Sequence, residues 1–144
     1  MAEVVRATLS RLPKWSARFV AYRGLISGGR IKPGAFKPLP NPRAGGRLEC
    51  SVTLHEDVID QEVIQQGRRF AGGLNPPRTF LGWVDLPTNE IPKVINNGVY
   101  VERSPSRGNP AHANILGIPD PNSEEWRLVA LQLVKLATPL ITAP

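Results

Sequence analysis

Two histidines are the first residues of this chain whose type suits catalysis. His55 ends a predicted strand, and His112 lies in the segment Asn109-Pro-Ala-His-Ala113, just after a predicted loop. A pair of imidazoles can act as general base and general acid in RNA cleavage, with an Arg or Lys stabilising the pentavalent phosphate. The alternative is that each is a hydrogen-bonded structural histidine at a strand end. The pair predicts an RNase site only if folding brings the rings together, and His112 is also a candidate by itself.

A second candidate set is Arg23, Ser51 and Glu102, each on a predicted strand and in that order. The set resembles that of ADP-ribosyltransferases. The resemblance implies an NAD-consuming enzyme in which the arginine binds cofactor phosphates, the serine positions the nicotinamide ribose and the glutamate stabilises an oxocarbenium-like centre. The segment Cys50-Ser-Val-Thr53 departs from that family's Ser-Thr-Ser strand, and Tyr100 stands where Glu or Gln is usual. In the alternative interpretation, Arg23 pairs with an acid and Glu102 faces solvent.

Charge is distributed unevenly along the chain. The first 50 residues carry ten Lys/Arg and two acids, whereas the other 94 carry eight Lys/Arg and ten acids. Clustered cations bind polyanions largely by releasing counterions from phosphates, so a nucleic acid or an acidic protein face would offset their mutual repulsion. A basic region kept soluble by its charge is the other interpretation. The residues predicted to contact nucleic acid are Arg30, Lys32, Lys37, Arg43 and Arg47.

Three classes of function remain open on this basis. The leading hypothesis is a binding protein that contacts RNA or DNA within a larger assembly. The second is a small toxin-like enzyme, either the histidine RNase or the NAD-consuming transferase. The third is a protein–protein adaptor, which an exposed apolar patch would favour. Whether the protein is an enzyme, and its oligomeric state, are left undecided by the sequence.

Several common sites are missing from the sequence. It has no phosphate-binding P-loop, no dinucleotide-type glycine fingerprint, no nucleophile elbow and no His-Glu-x-x-His motif, so we predict no cofactor and no metal. One cysteine, Cys50, allows neither an internal disulfide nor a multi-thiolate zinc site, which suits a reducing, cytoplasmic compartment. No apolar run reaches about 18 residues, so no membrane partner is predicted.

The elements that must position these residues follow from periodicity. The predicted strands cover 18–26, 47–54, 79–86, 99–103 and 111–118, and the predicted helices cover 56–66, 89–97 and the segment from Asn122 to Pro139. Gly67 and Gly98 are predicted as C-terminal caps, and Asn122 with Glu125 as a capping box. Residues 31–46 contain four prolines and three glycines and predict a long basic loop. Residues 1–16 are a candidate basic amphipathic helix.

The fold class follows from the order of these elements. Strands mixed with short helices, without regular alternation, favour a single α+β domain over residues 1–144. We expect a mainly antiparallel sheet with the C-terminal helix packed across it. In strand 47–54, alternation puts Cys50 on the apolar face, which predicts a buried thiol.

The chain also resembles a group of small bacterial proteins. The matching segments are Tyr22-Arg23, Ala35-Phe36, Ser51-Val52 and Asn109-Pro-Ala-His-Ala113 with Gly117. In that group a Tyr/Phe-Arg strand is followed by a Phe-containing turn, a Leu-Ser-Val strand and a closing Asn-Pro-Ala-His-Ala strand. Cys50 stands where the group has Leu. The resemblance spans roughly residues 20–118, implies a bacterial, intracellular setting and singles out His112.

Overall fold

A computed structural model describes residues 12–57, 61–94 and 98–142. Its strands are β1 (Trp15–Val20), β2 (Ile26–Ser27), β3 (Arg30–Ile31), β4 (Leu39–Asn41), β5 (Arg47–His55), β6 (Gly82–Pro87), β7 (Tyr100–Arg103), β8 (His112–Leu116) and β9 (Ile141–Thr142), and its α-helices are α1 (Gln61–Gly72) and α2 (Glu124–Leu136). Short 3-10 helices cover Arg23–Leu25, Pro33–Phe36, Pro42–Ala44 and Thr88–Lys93.

Strand β5 lies inside the main sheet, whose order is β7-β8-β5-β1-β6-β9. Every described pairing is antiparallel. Strand β4 pairs with the first residues of β5, and β2 with β3 forms a separate hairpin. The predicted single α+β domain with a mainly antiparallel sheet and a C-terminal helix is confirmed.

The two faces of the sheet are covered differently. On one face, Val52 and Leu54 of β5 pack with Val129 and Leu133 of α2 in the larger core. On the other face, α1 packs in a smaller core. The smaller core consists of Ala17, Val63, Ile64 and Trp83, with Phe19, Phe80 and Ile141 against it. Ser51 of β5 and His112 of β8 line a pocket on this face together with Gln66 and Arg69 of α1.

Helix α1 is placed differently from the prediction. The predicted helix covered 56–66 with Gly67 as its C-terminal cap, whereas α1 continues to Gly72. Glu56 and Asp57 precede α1, and residues 58–60 lie outside the described residues. Gly67 is buried within α1, where a Cβ would overlap the ring of Phe80. Gly67 is therefore a packing residue inside the helix and not a cap. This role depends on Phe80, which lies in the segment before β6.

Helix α2 confirms the amphipathic prediction but begins differently. Its N-cap is Ser123, whose hydroxyl accepts from the Trp126 backbone N–H, so the prediction of Asn122 as the cap is wrong by one residue. Glu124 and Glu125 occupy the first turn, where the helix dipole favours negative charge. Helix α2 ends before Pro139, as the sequence predicts.

The segment 31–46 is more regular than the predicted loop. It contains β4 and two short 3-10 helices, so the prediction of one long loop is wrong. Proline is tolerated in β4 because this strand pairs with β5 on one side only. The predicted strand 18–26 is also wrong in its bounds, since β1 begins at Trp15 and ends at Val20.

The remaining predictions near the amino end and around residue 95 are mixed. Residues 1–11 of the candidate amphipathic helix lie outside the described residues, and Trp15 and Ser16 belong to β1. The predicted helix 89–97 is a 3-10 helix over Thr88–Lys93, with residues 95–97 outside the described residues. Gly98 has φ 69°, but the 3-10 helix ends at Lys93 with Val94 as its C-cap, so the prediction of Gly98 as the cap is wrong. In the described ranges, no helix has the length and hydropathy needed to cross a bilayer.

Candidate nucleic-acid interface

The two histidines have different environments. The His55 side chain is 1% exposed, with Nε2 2.6 Å from Oδ1 of Asp85 and Nδ1 2.6 Å from the backbone oxygen of Asp57. His112 is half-buried and lines a pocket, and its Nδ1 lies 2.7 Å from the backbone oxygen of Ser104. A carbonyl only accepts hydrogen bonds, so Nδ1 of His112 carries a hydrogen, and in the neutral ring Nε2 presents a lone pair. The structure therefore leaves His112 accessible and holds both nitrogens of His55 in internal hydrogen bonds.

The residues that resemble an ADP-ribosyltransferase set do not share one cavity. Ser51 lines the same pocket as His112, whereas Arg23 lines a separate groove. Glu102 pairs with Arg47, with the Nη1 to Oε1 distance 3.4 Å. Ser51 and Glu102 do lie on the same face of the sheet, because each is paired in register with Asn114.

The five predicted nucleic-acid-binding residues are all exposed: Arg30, Lys32, Lys37, Arg43 and Arg47. Two of them have internal partners. Nη2 of Arg47 lies 2.6 Å from Oε2 of Glu49, and this hydrogen bond raises the pKa of the guanidinium while offsetting its charge. The ammonium of Lys37 lies 5.7 Å from the centre of the Trp126 ring. The basic amino-terminal third therefore contributes cations in several separate environments.

Cys50 behaves as the alternation predicts. It is 1% exposed in the larger core, and burial raises the pKa of its thiol. Reactive cysteines need an electropositive and partly exposed environment that stabilises the thiolate. The confirmed burial makes Cys50 a packing residue. Within the described part of the chain, no group of three His, Cys, Asp or Glu side chains is placed to hold a metal ion.

The pocket forms where β1 leaves β5. Their pairing ends at Ala17 and Thr53, and beyond that point Arg18 bridges the two strands. Its Nε donates to the backbone oxygen of Ala35 at 3.0 Å, and its Nη1 donates to that of Ser51 at 2.8 Å. Arg18 thus satisfies carbonyl groups near the point where the ladder ends, and it places a guanidinium in the pocket wall.

The loop between β7 and β8 closes another side of the pocket. The backbone oxygen of Gly108 accepts from Nε2 of Gln66 at 2.7 Å and from Nη1 of Arg69 at 2.9 Å. Asn109 is fixed as well, since its Nδ2 donates to the Thr53 hydroxyl at 2.9 Å. A Cβ at Gly108 would press against the Arg69 guanidinium, so glycine allows this close approach. These bonds fix the loop and the Arg69 side chain to each other.

The third side of the pocket is aromatic. Phe19 of β1 and Phe70 of α1 line it, with ring centres 5.7 Å apart and planes inclined by 41°. Phe70 is 37% exposed, so part of its ring faces solvent. The pocket has a volume of about 340 Å³, which falls at the lower end of the range typical for small-molecule sites.

A groove with lining residues of its own lies beyond the end of α1. The backbone N–H of Arg78 donates to the Ala71 oxygen at 2.9 Å, which holds this arginine beside the residue that follows Phe70. The Arg78 guanidinium lies 4.2 Å from the centre of the Tyr22 ring, and Arg23 also lines the groove. We call the pocket and groove together the arginine–aromatic surface, defined by Arg18, Phe19, Tyr22, Arg23, Arg69, Phe70 and Arg78.

Among the described residues, the charged side chains that line this surface are arginines. No Asp or Glu lines the pocket or the groove, as far as the described residues extend. In the same part of the chain, none of the four arginines of this surface forms an ion pair with a carboxylate. Arg18 and Arg69 donate to backbone carbonyl oxygens, and Arg78 lies over the ring of Tyr22. The surface is therefore suited to an anionic ligand that carries aromatic groups.

The sequence prediction missed most of this surface. Arg69 and Phe70 lie beyond the end of the predicted helix 56–66, and Arg78 lies just before the predicted strand 79–86. The adjacent pair Arg68-Arg69 followed by Phe70 was the available signal, because such a combination at a helix end can place cations beside an aromatic ring. No local pattern indicates that Arg18 enters the gap between β1 and β5.

Comparisons with protein-family models, with curated proteins and with solved structures gave no significant match.

Proposed function

We propose that this protein binds single-stranded nucleic acid along the arginine–aromatic surface. The observation that carries the proposal is the combination of four arginines, exposed aromatic rings and no lining carboxylate in two concavities, a pocket and a groove. Arginines contact phosphates, and bases stack on aromatic rings with little dependence on sequence. Tyr22 and Phe70, each 37% exposed, are the rings available for stacking. The same proposal includes the cytoplasmic bacterial setting and a role within a larger assembly.

The geometry favours a single strand over a duplex. Base faces are accessible only when the bases are unpaired, and rings presented at a pocket edge need such faces. The backbone and side-chain hydrogen bonds that hold Arg18, Arg69 and the Gly108 loop fix the cations before the ligand arrives. Preorganisation of this kind reduces the entropy lost on binding.

The test is fluorescence anisotropy with labelled single-stranded RNA and DNA of about 16 nucleotides at about 50 mM salt, where phosphate contacts are strongest. We expect saturable binding that Tyr22→Ala weakens by about 1–3 kcal/mol, the range for loss of one stacked base. Arg23→Gln should weaken it as well.

The matched control is Arg127→Gln, which removes one exposed positive charge on α2, on the opposite side of the sheet. It should leave the affinity nearly unchanged. Undetectable binding of both nucleic acids at low salt would overturn the proposal. If Arg127→Gln weakens binding as much as Arg23→Gln does, the affinity would depend on the net charge of the protein and not on a defined surface.

RNA cleavage is a second candidate function, supported by one observation. Nε2 of His112 has its lone pair available in a pocket that also contains Arg18 and Arg69, so it suits a general base that accepts the proton of an attacking 2′-hydroxyl. The second predicted imidazole, His55, is held in internal hydrogen bonds. Binding therefore ranks first. Cleavage of labelled RNA that His112→Ala abolishes would favour the enzyme.

The adaptor alternative depends on exposed apolar residues. Leu128 and Leu131 of α2 are 57% and 38% exposed, three residues apart on the helix. Such neighbours on one helix face suit a partner helix. The carboxylate-free pocket and groove lie on the other side of the sheet, so the two activities would use separate surfaces.

A further inference from the structure

We infer that the pocket holds one nucleotide unit, with its phosphate at Arg18 and Arg69 and its base against Phe70. This inference rests on the proposed binding of nucleic acid and adds which part of the ligand the pocket takes. The shared chemistry is a phosphate ester joined to an aromatic base through a sugar. A free mononucleotide and one unit of a strand both supply it.

The phosphate position follows from the two arginines. Arg18 uses Nε and Nη1 for backbone oxygens, and in the described part of the chain its Nη2 has no hydrogen-bond partner. Arg69 uses Nη1 for Gly108 and likewise has a further nitrogen available. Both side chains are thus held in place while keeping donors for an oxyanion. Guanidinium groups fixed in this way suit phosphate because their charge-assisted hydrogen bonds need no reorganisation.

The base position follows from the aromatic side of the pocket. Phe19 is covered by Phe70 and by Phe80, whose ring centre lies 5.6 Å away in an edge-to-face arrangement. Phe70 is supported from beneath by Phe19 and keeps one part of its ring exposed. A base placed on Phe70 would extend this aromatic stack without displacing a core residue.

The sugar position follows from two polar residues of the same pocket, Ser51 and His112. Ser51 is exposed, His112 presents the Nε2 lone pair of its neutral ring, and both line the pocket together with the two arginines. The Ser51 hydroxyl donates to Oδ1 of Asn114 at 3.5 Å, so its lone pairs, like the lone pair of Nε2 in the neutral ring, accept from donors such as sugar hydroxyls. The volume of about 340 Å³ fits one such unit and leaves the rest of a strand to follow the groove.

The experiment is an NMR titration of the ¹⁵N-labelled full chain with three separate probes: a nucleoside 5′-monophosphate, the matching uncharged nucleoside, and inorganic phosphate. We expect saturable shifts at Gly108 and Asn109 with the monophosphate, and at least about tenfold weaker binding for each of the other two probes. Arg69→Gln should weaken monophosphate binding by roughly tenfold or more, as for loss of a hydrogen bond to a charged group. Arg127→Gln should leave it unchanged.

Folding of Arg69→Gln is checked by its spectrum in the absence of ligand, and Phe70→Leu is a second variant that keeps both arginines. Phe70→Leu should weaken the monophosphate and leave inorganic phosphate unchanged. Equal affinity for phosphate and monophosphate would overturn the base position. Monophosphate shifts absent at Gly108 and Asn109, while an oligonucleotide shifts Tyr22 and Arg78, would overturn the inference and leave the proposed function standing. An oligonucleotide that shifts neither region would overturn both.

Discussion

His55 and Asp85 form a buried pair in which Nε2 lies 2.6 Å from Oδ1, with the two side chains 1% and 2% exposed. The pair connects β5 to β6 across β1, since both residues lie on the α1 face of the sheet. Because the Asp57 carbonyl can only accept, Nδ1 of His55 donates to it, and Nε2 forms the second hydrogen bond, to the Asp85 carboxyl. The pair is thus part of the structural framework on which the pocket is built.

Breaking this pair should destabilise the protein strongly. His55→Gln or Asp85→Asn leaves one buried polar partner without its match, so we expect a loss of about 3–5 kcal/mol in the free energy of unfolding. Urea denaturation followed by circular dichroism measures it. Glu90→Gln is the control, because its ion pair with Lys93 is exposed and should contribute no more than about 1 kcal/mol. A His55→Gln variant as stable as Glu90→Gln would contradict the structural role.

Gly67→Ala should destabilise although alanine is the better helix former. The added Cβ meets the ring of Phe80, which is packed against Phe19 and Trp83, and overpacking of this kind costs about 1–3 kcal/mol. Gly72→Ala, at the end of the same helix, meets no atom within 4 Å and should be neutral or stabilising by up to about 1 kcal/mol. Thermal denaturation of both variants decides, and equal stabilities would refute the close-packing role.

Ser123→Ala should lower the free energy of unfolding by about 1 kcal/mol, because it removes the acceptor for the Trp126 backbone N–H. Asn122→Ala, one residue earlier, should change stability by no more than about 0.5 kcal/mol. The two variants compared by urea denaturation test which residue caps α2. The opposite order would restore Asn122 as the cap.

Cys50 should make stability depend on pH in the alkaline range. Burial raises the pKa of the folded thiol above its ordinary 9.0, with Arg18 opposing the shift, so the folded state keeps the proton longer than the unfolded state. The contribution of the protonated Cys50 thiol to the free energy of unfolding is fully present below the pKa of the unfolded state. It is lost as the pH rises through the pKa of the folded state. The stability of the wild type relative to Cys50→Ala should therefore fall as the pH is raised from neutral into the range above 9.0, the ordinary pKa of the thiol. A difference that stays constant over this range would contradict it.

The salt dependence of nucleic-acid affinity should show whether the arginine–aromatic surface or the basic segment 31–46 contacts the phosphates. Arg78→Gln should reduce the slope of log affinity against log salt by about 0.7, the value for one phosphate contact with a single strand. Arg43→Gln should leave the slope unchanged, because Arg43 is exposed on the turn after β4 and lines neither the pocket nor the groove. The reverse result would place the interface on the basic segment 31–46 instead.

Much of the fold was predictable because its signals are local. The alternation Leu48, Cys50, Val52, Leu54 predicts β5 and its buried face, and the helical spacing after Trp126 predicts α2. Strand β4 was not predicted because its proline, Pro40, is tolerated only at a sheet edge, and the neighbours of a strand decide whether it lies at an edge. Gly67 was assigned as a cap because the Phe80 ring that packs on it belongs to a distant segment.

The sequence alone determined the α+β class, the central strand, the C-terminal helix and the buried thiol, since each depends on the period with which side chains face a core. It also singled out His112, Ser51 and Arg23 by type. Only the tertiary structure decided which cations share a surface. Arg18 and Arg69 line one pocket because β1 leaves β5 after Ala17 and because the Gly108 carbonyl holds the Arg69 side chain. Arg78 lines the groove, where its backbone N–H donates to the Ala71 carbonyl. Contacts between residues so far apart in sequence depend on register and packing, which no local pattern records.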